Sequence, residues 1–72
     1  GGVIMFKVGQ IVWCKRNGIY DITNYHVKCE VTEAHKMNCA IRVKVLEGLY
    51  SGYTYPVDGN CFELVQNKAV VL

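Results

Sequence analysis

The residues of this chain that could do chemistry are its thiols and its imidazoles. The sequence has four cysteines, at positions 14, 29, 39 and 61, and two histidines, His26 and His35. They are numerous enough for a tetrahedral zinc site, but structural zinc sites draw on pairs of cysteines two to four residues apart. Successive cysteines here are 15, 10 and 22 residues apart. We therefore predict no metal site and no cofactor.

A cysteine beside a histidine could also form a nucleophile with its base. His26 and Cys29 are close in sequence, but their odd offset within a strand places the two side chains on opposite faces of a sheet. His35 and Cys39 could meet across a loop. The sequence has no oxyanion loop, no phosphate-cradling glycine motif and no carboxylate pair. We predict that the protein is not an enzyme and that both histidines are solvated loop residues.

The even number of cysteines would suggest a framework of two disulfides in a secreted chain of this length, with three possible connectivities. We expect no export signal before Phe6 and therefore four free thiols, of which Cys14 and Cys29 fall on the apolar phase of strands. The longest apolar stretches, residues 3–6 and 69–72, are far shorter than the ~20 residues of a membrane-spanning helix. We expect a soluble, cytoplasmic protein.

An alternation of apolar and polar residues with period two dominates the chain and predicts strands with one buried face. It places five strands at residues 10–15, 27–32, 40–46, 53–57 and 62–65. In the first strand Val12 and Cys14 face inward, which leaves Ile11 and Trp13 facing outward. Pro56 indicates that the fourth strand lies at a sheet edge. The inward positions of the second and third strands are Val27, Cys29, Val31, Ile41, Val43 and Val45.

Length and composition fit one small domain. Of the 72 residues, 51% are apolar and 19% are charged, which provides enough apolar material for a core. We interpret Gly1 and Gly2 as a scar left by tag removal and residues 3–72 as a single domain. Five short strands at this spacing predict a small all-β barrel, because closure removes exposed sheet edges.

Three segments resemble SH3-like barrel proteins. Residues 6–12 (FKVGQIV) are similar to the opening of KOW domains, Tudor-like domains and small phage-encoded proteins, residues 26–31 (HVKCEV) to their second strand, and residues 55–65 (YPVDGNCFELV) to their closing strands. Cys29 stands where these domains have a glycine and Gln10 where they have an acidic residue, which makes the small phage proteins the nearer likeness. The resemblance implies a five-stranded SH3-like barrel and, where such phage proteins act, binding to a host protein.

Aromatic residues form the predicted protein-binding surface, because tyrosine and tryptophan offer large contact areas with few torsions to freeze. In SH3-like barrels the long first loop and the loop between the third and fourth strands lie near one another, which would bring their tyrosines together. We hypothesise a phage or prophage accessory module that binds a host or phage protein, as a monomer or a homodimer. Its predicted contacts are Ile11, Trp13, Tyr20, Tyr25, Tyr50 and Tyr53.

The alternative is a nucleic-acid-binding module, in which cations neutralise phosphates while rings stack on bases. Lys28, Arg42 and Lys44 share the outward phase of two neighbouring strands and predict a basic stripe, which Glu30 interrupts. The net charge of +2 argues for neither function, since nucleic-acid modules usually carry a stronger basic field. The complete candidate set for this alternative is Lys15, Arg16, Lys28, Arg42 and Lys44.

Overall fold

The computed structural model describes residues 5–15, 26–35 and 39–65. It confirms the all-β prediction, because these residues form one antiparallel sheet of five strands. A single turn of 3-10 helix, Gly59–Cys61, joins the last two strands. The strands are β1 (Ile11–Cys14), β2 (Cys29–Ala34), β3 (Ala40–Val45), β4 (Thr54–Asp58) and β5 (Phe62–Leu64).

The order of strands across the sheet is β4-β3-β2-β1-β5. The first strand therefore lies inside the sheet, with β2 on one side and β5 on the other. β4 lies at an edge, as Pro56 predicted, since a proline has no backbone N–H to donate to a second neighbour. Closure of this sheet into a barrel stays a prediction.

The second strand begins and ends two residues later than predicted, and it contains a β-bulge. The register shifts between Val31 and Glu33, so that β2 continues to pair with β3 as far as Ala34. The hydroxyl of Thr32, at the bulge, donates a hydrogen bond of 3.2 Å to the carbonyl of Arg42. The extra residue turns Ala34 towards the core face, where a strict period of two would not place it.

The core lies on the inward face that the alternation predicted. The inward positions of β1, β2 and β3 are fully or nearly fully buried, whereas Val27, which precedes β2, is half-buried. Gly59 is buried and leaves no room for a side chain, because a Cβ atom there would lie 2.5 Å from the carbonyl oxygen of Cys39. The buried cluster consists of Phe6, Val12, Cys14, Cys29, Val31, Ile41, Val43, Val45, Val57 and Phe62.

The structure also bears on the state of the cysteines and on the presence of a membrane-spanning helix. None of the four cysteines is in a disulfide: Cys14 and Cys29 lie in the core, Cys61 is half-buried against it, and Cys39 is half-buried. Within the described ranges, no helix has the length and apolar character that crossing a membrane requires.

Candidate functional site

Trp13 projects from the outward face of β1, as its phase predicted, and Glu63 on β5 is its cross-strand partner. The indole Nε1–H donates a hydrogen bond of 2.9 Å to Oε2 of Glu63. These two residues are 50 positions apart in the sequence, so that only the pairing of β1 with β5 brings them together. The hydrogen bond fixes the half-buried indole against the neighbouring strand.

His26 lies exposed in the turn before β2, as the sequence predicted, and its ring covers one face of this indole. The two rings are stacked, with centroids 4.1 Å apart and planes 20° apart. His26 Nε2 lies 3.9 Å from the same Glu63 oxygen. The backbone of His26 has a φ of +60°, which few residues other than glycine adopt, and its N–H donates to the carbonyl of Cys14 at 3.2 Å. We refer to Trp13, His26 and Glu63 as the Trp13 site.

A second group of apolar and aromatic side chains lies on the connection between β3 and β4. Leu49 is 87% exposed and Tyr53 is 61% exposed, and Tyr50 lies beside them at the surface. The rings of Tyr50 and Tyr53 meet edge to face, with centroids 5.8 Å apart and planes 82° apart. This arrangement is a favourable geometry for two aromatic rings. We refer to Leu49, Tyr50 and Tyr53 as the aromatic tip.

Backbone hydrogen bonds hold the aromatic tip in place. The N–H of Gly52 donates to the carbonyl of Val45 at 2.7 Å, and the N–H of Val45 donates back to the carbonyl of Tyr53 at 2.8 Å. Tyr53 also donates to the carbonyl of Tyr50 at 3.1 Å, which closes the turn between the two rings. Gly52 has a φ of +93°, in the left-handed region that favours glycine. The tip is therefore an ordered turn.

Hydrogen bonds join the base of this turn, Leu46 and Glu47, to Lys28, which directly precedes β2. The backbone N–H of Lys28 donates a hydrogen bond of 2.9 Å to the Glu47 carboxylate. The carbonyl of Lys28 accepts a hydrogen bond of 2.9 Å from the N–H of Leu46. Both contacts join sequence-distant segments, so that the aromatic tip has a fixed position on the sheet.

Cys29, which follows Lys28, lies in the core. Burial, followed by the neighbouring Cys14 thiol and the Glu47 carboxylate, raises the pKa of Cys29 from 9.0 to about 11. Its thiol is therefore protonated at neutral pH and is a poor nucleophile, since the thiolate is the reactive form. The imidazole of His26, which the odd sequence offset predicted to lie on the other face of the sheet, stacks on Trp13 on the outward face. In the described part of the chain, no three His, Cys, Asp or Glu side chains are grouped so that they could hold a metal ion.

The basic stripe proposed for nucleic acid lies opposite acidic residues. Lys44 on β3 is the Cα partner of Glu30 on β2, and Arg42 is the partner of Glu33. Opposite charges at facing positions of a sheet attract one another and reduce the local positive potential. Lys28 and Lys44 are exposed, Arg42 is half-buried, and Lys15 follows β1.

The structure divides the predicted protein-binding residues between two regions. Ile11 and Trp13 lie on β1, whereas Tyr50 and Tyr53 lie on the aromatic tip. Tyr20, Tyr25 and Arg16 lie outside the described residues, so that the predicted proximity of the two tyrosines to the tip stays a prediction.

Sequence reasoning missed two kinds of residue. Leu49 had a usable signal, because an apolar residue in a turn bounded by Gly48 and Gly52 has no strand face to bury it. Glu63 and His26 had no local signal that joined them to Trp13, because their contact depends on strand pairing.

Comparison of the chain with models of known protein families, with curated proteins and with solved structures finds no match. The resemblance to SH3-like barrels stays a prediction.

Proposed function

We propose that the protein is a non-enzymatic binding module that contacts a partner protein through the aromatic tip. The observation that supports this function is the exposure of Leu49 next to an edge-to-face pair of tyrosines on an ordered turn. Water solvates such apolar surface unfavourably, and exposed apolar patches often mark interaction sites. A turn that is already ordered loses little conformational entropy when it binds.

The charges of the sheet favour a protein partner over nucleic acid. A groove for single-stranded nucleic acid needs cations that follow the phosphates beside rings that stack on the bases. Here the two basic residues of β3 face the glutamates of β2. The phage or prophage setting suggested by the resemblance would make the partner a host or phage protein, and a second copy of this chain is one such candidate.

The proposal is tested by capture from a nuclease-treated bacterial lysate, at low and at high salt, with the bound proteins identified by mass spectrometry. The tip variant carries Leu49→Ser and Tyr53→Ser. The matched control carries Met5→Ser and Val8→Ser, because these side chains are also exposed, Val8 to 65%, and lie outside the tip. All of the substituted side chains are largely solvated, so that both variants should unfold within about 4 °C of the wild type.

We expect a protein that the wild type and the control retain at both salt concentrations and that the tip variant loses at least tenfold. Retention that is equal for the tip variant and the wild type would contradict the assignment of the tip. A partner that is lost at high salt, together with nuclease-sensitive binding in untreated lysate, would support the nucleic-acid alternative, because phosphate contacts weaken steeply with salt.

A further inference from the structure

A negatively charged group lies exposed beside two stacked rings at the Trp13 site. The side chain of Glu63 is 46% exposed. Its hydrogen bond from Trp13 and its close approach to His26 both involve Oε2. Among the described residues, no lysine or arginine forms an ion pair with Glu63. Neither of the two contacts to Trp13 and His26 involves the other carboxylate oxygen, Oε1.

The rings beside this carboxylate are held in a fixed orientation. The indole hydrogen bond to Glu63 lies in the plane of the ring, and His26 covers one face of the same ring at 4.1 Å. The His26 side chain is itself 38% exposed. A ligand that binds Glu63 would therefore contact two stacked, partly exposed rings whose orientation is already fixed, at little cost in side-chain conformational entropy.

From this geometry we propose that the Trp13 site binds an arginine side chain of the partner protein. A guanidinium group is planar, donates several hydrogen bonds and stacks on aromatic rings, whereas a lysine ammonium is a compact and strongly hydrated charge. A carboxylate next to an aromatic stack satisfies both properties of the guanidinium at once. The inference extends the proposed function, because it assigns a chemical group to the partner at a surface separate from the aromatic tip.

The site can be tested without any partner protein, because Trp13 is the only tryptophan of the chain. Its fluorescence is recorded during titration with N-acetyl-arginine-methylamide and, in parallel, with N-acetyl-lysine-methylamide, at constant ionic strength. We expect a saturable change with the arginine compound at a half-saturation on the order of 10–100 mM, as for one exposed cation–π contact with one ion pair. The lysine compound should bind at least threefold more weakly.

The discriminating variant is Glu63→Gln, which keeps an oxygen that can accept from the indole N–H but removes the charge. Its affinity for the arginine compound should fall at least fivefold. The matched control is Glu30→Gln, which removes an outward carboxylate of β2 that faces Lys44 and should leave the affinity unchanged. Thermal unfolding of both variants verifies that they are folded.

Three results would overturn the proposal. One is a wild-type protein whose fluorescence shows no saturable response, since Glu63 would then only join β1 to β5. Another is equal affinity for the arginine and lysine compounds, which would exclude recognition of a planar group. The last is an unchanged affinity in Glu63→Gln. Capture experiments with the tip variant are independent of this titration, so that failure of the proposed function is distinguishable from failure of the arginine site.

Discussion

The aromatic tip and the Trp13 site are both aromatic, but they are built in different ways. Tyr50 and Tyr53 are three residues apart, and hydrogen bonds within and beside one turn present them to solvent. Trp13 is joined to a residue 50 positions away and is covered by His26. From this comparison we expect the tip rings to contribute little to folding and Trp13 to stabilise the sheet.

Truncation of one ring in each region measures how much each region contributes to the free energy of unfolding. Trp13→Ala removes a half-buried indole, its stacking on His26 and its hydrogen bond to Glu63, and should lower the free energy of unfolding by about 2 kcal/mol. Tyr53→Ala removes a largely exposed ring and should lower it by less than about 1 kcal/mol. Urea denaturation of the two variants measures both values. Equal losses would show that the two regions do not differ in their contribution to stability.

A second prediction concerns Cys29, which lies in the core between Val12 on β1 and Val45 on β3. Unfolding exposes this thiol and returns its pKa from about 11 to 9.0, so that above pH 9 the unfolded chain releases a proton that the folded chain retains. Stability attributable to Cys29 should therefore fall as the pH rises from 9.0 to about 11, by about 2 kcal/mol at the upper limit.

The measurement is urea denaturation at pH 8 and at pH 10.5, compared between the wild type, Cys29→Ala and Cys39→Ala. The difference between variants isolates the contribution of one thiol to the pH dependence of stability. Cys29→Ala should lose less stability between the two pH values than the wild type does. Cys39→Ala, which removes a half-buried thiol, should behave like the wild type. The same pH dependence in all three proteins would show that the Cys29 thiol is not the source.

The smallest expected effect comes from loosening the base of the tip. Glu47→Ala removes the acceptor of the Lys28 backbone N–H, at a cost of about 1 kcal/mol or less, because the bond is exposed to water. Amide hydrogen exchange should speed up at Lys28, while the indole N–H of Trp13 should exchange at its wild-type rate. Faster exchange at both positions would show that the two regions open together and would remove the distinction between them.

Much of the fold could be predicted from the sequence, because β1 and β3 follow a strict period of two with apolar residues on one face. Val12, Val43 and Val45 are buried as their phase requires. The β2 bulge could not be predicted in this way, since a bulge arises from pairing with β3 and appears in the sequence only as an ordinary polar residue at Thr32. Pro56 did locate an edge strand, because its missing N–H has a direct structural consequence.

The candidate sites show the same division. The glycines and tyrosines of the tip predicted an exposed aromatic turn, because turn chemistry depends on residues within a few positions of one another. The outward direction of Trp13 was predictable, but its partners were not.

The all-β class, the buried face of the strands and the glycine-bounded turn between β3 and β4 could therefore be predicted from the sequence alone. Each of these follows from local periodicity or from the backbone preferences of single residues. Only the tertiary structure decided that β5 lies beside β1, and with it that Glu63 and His26 hold Trp13. Contacts across 50 residues depend on which strands pair, and the pairing is set by packing of the whole core.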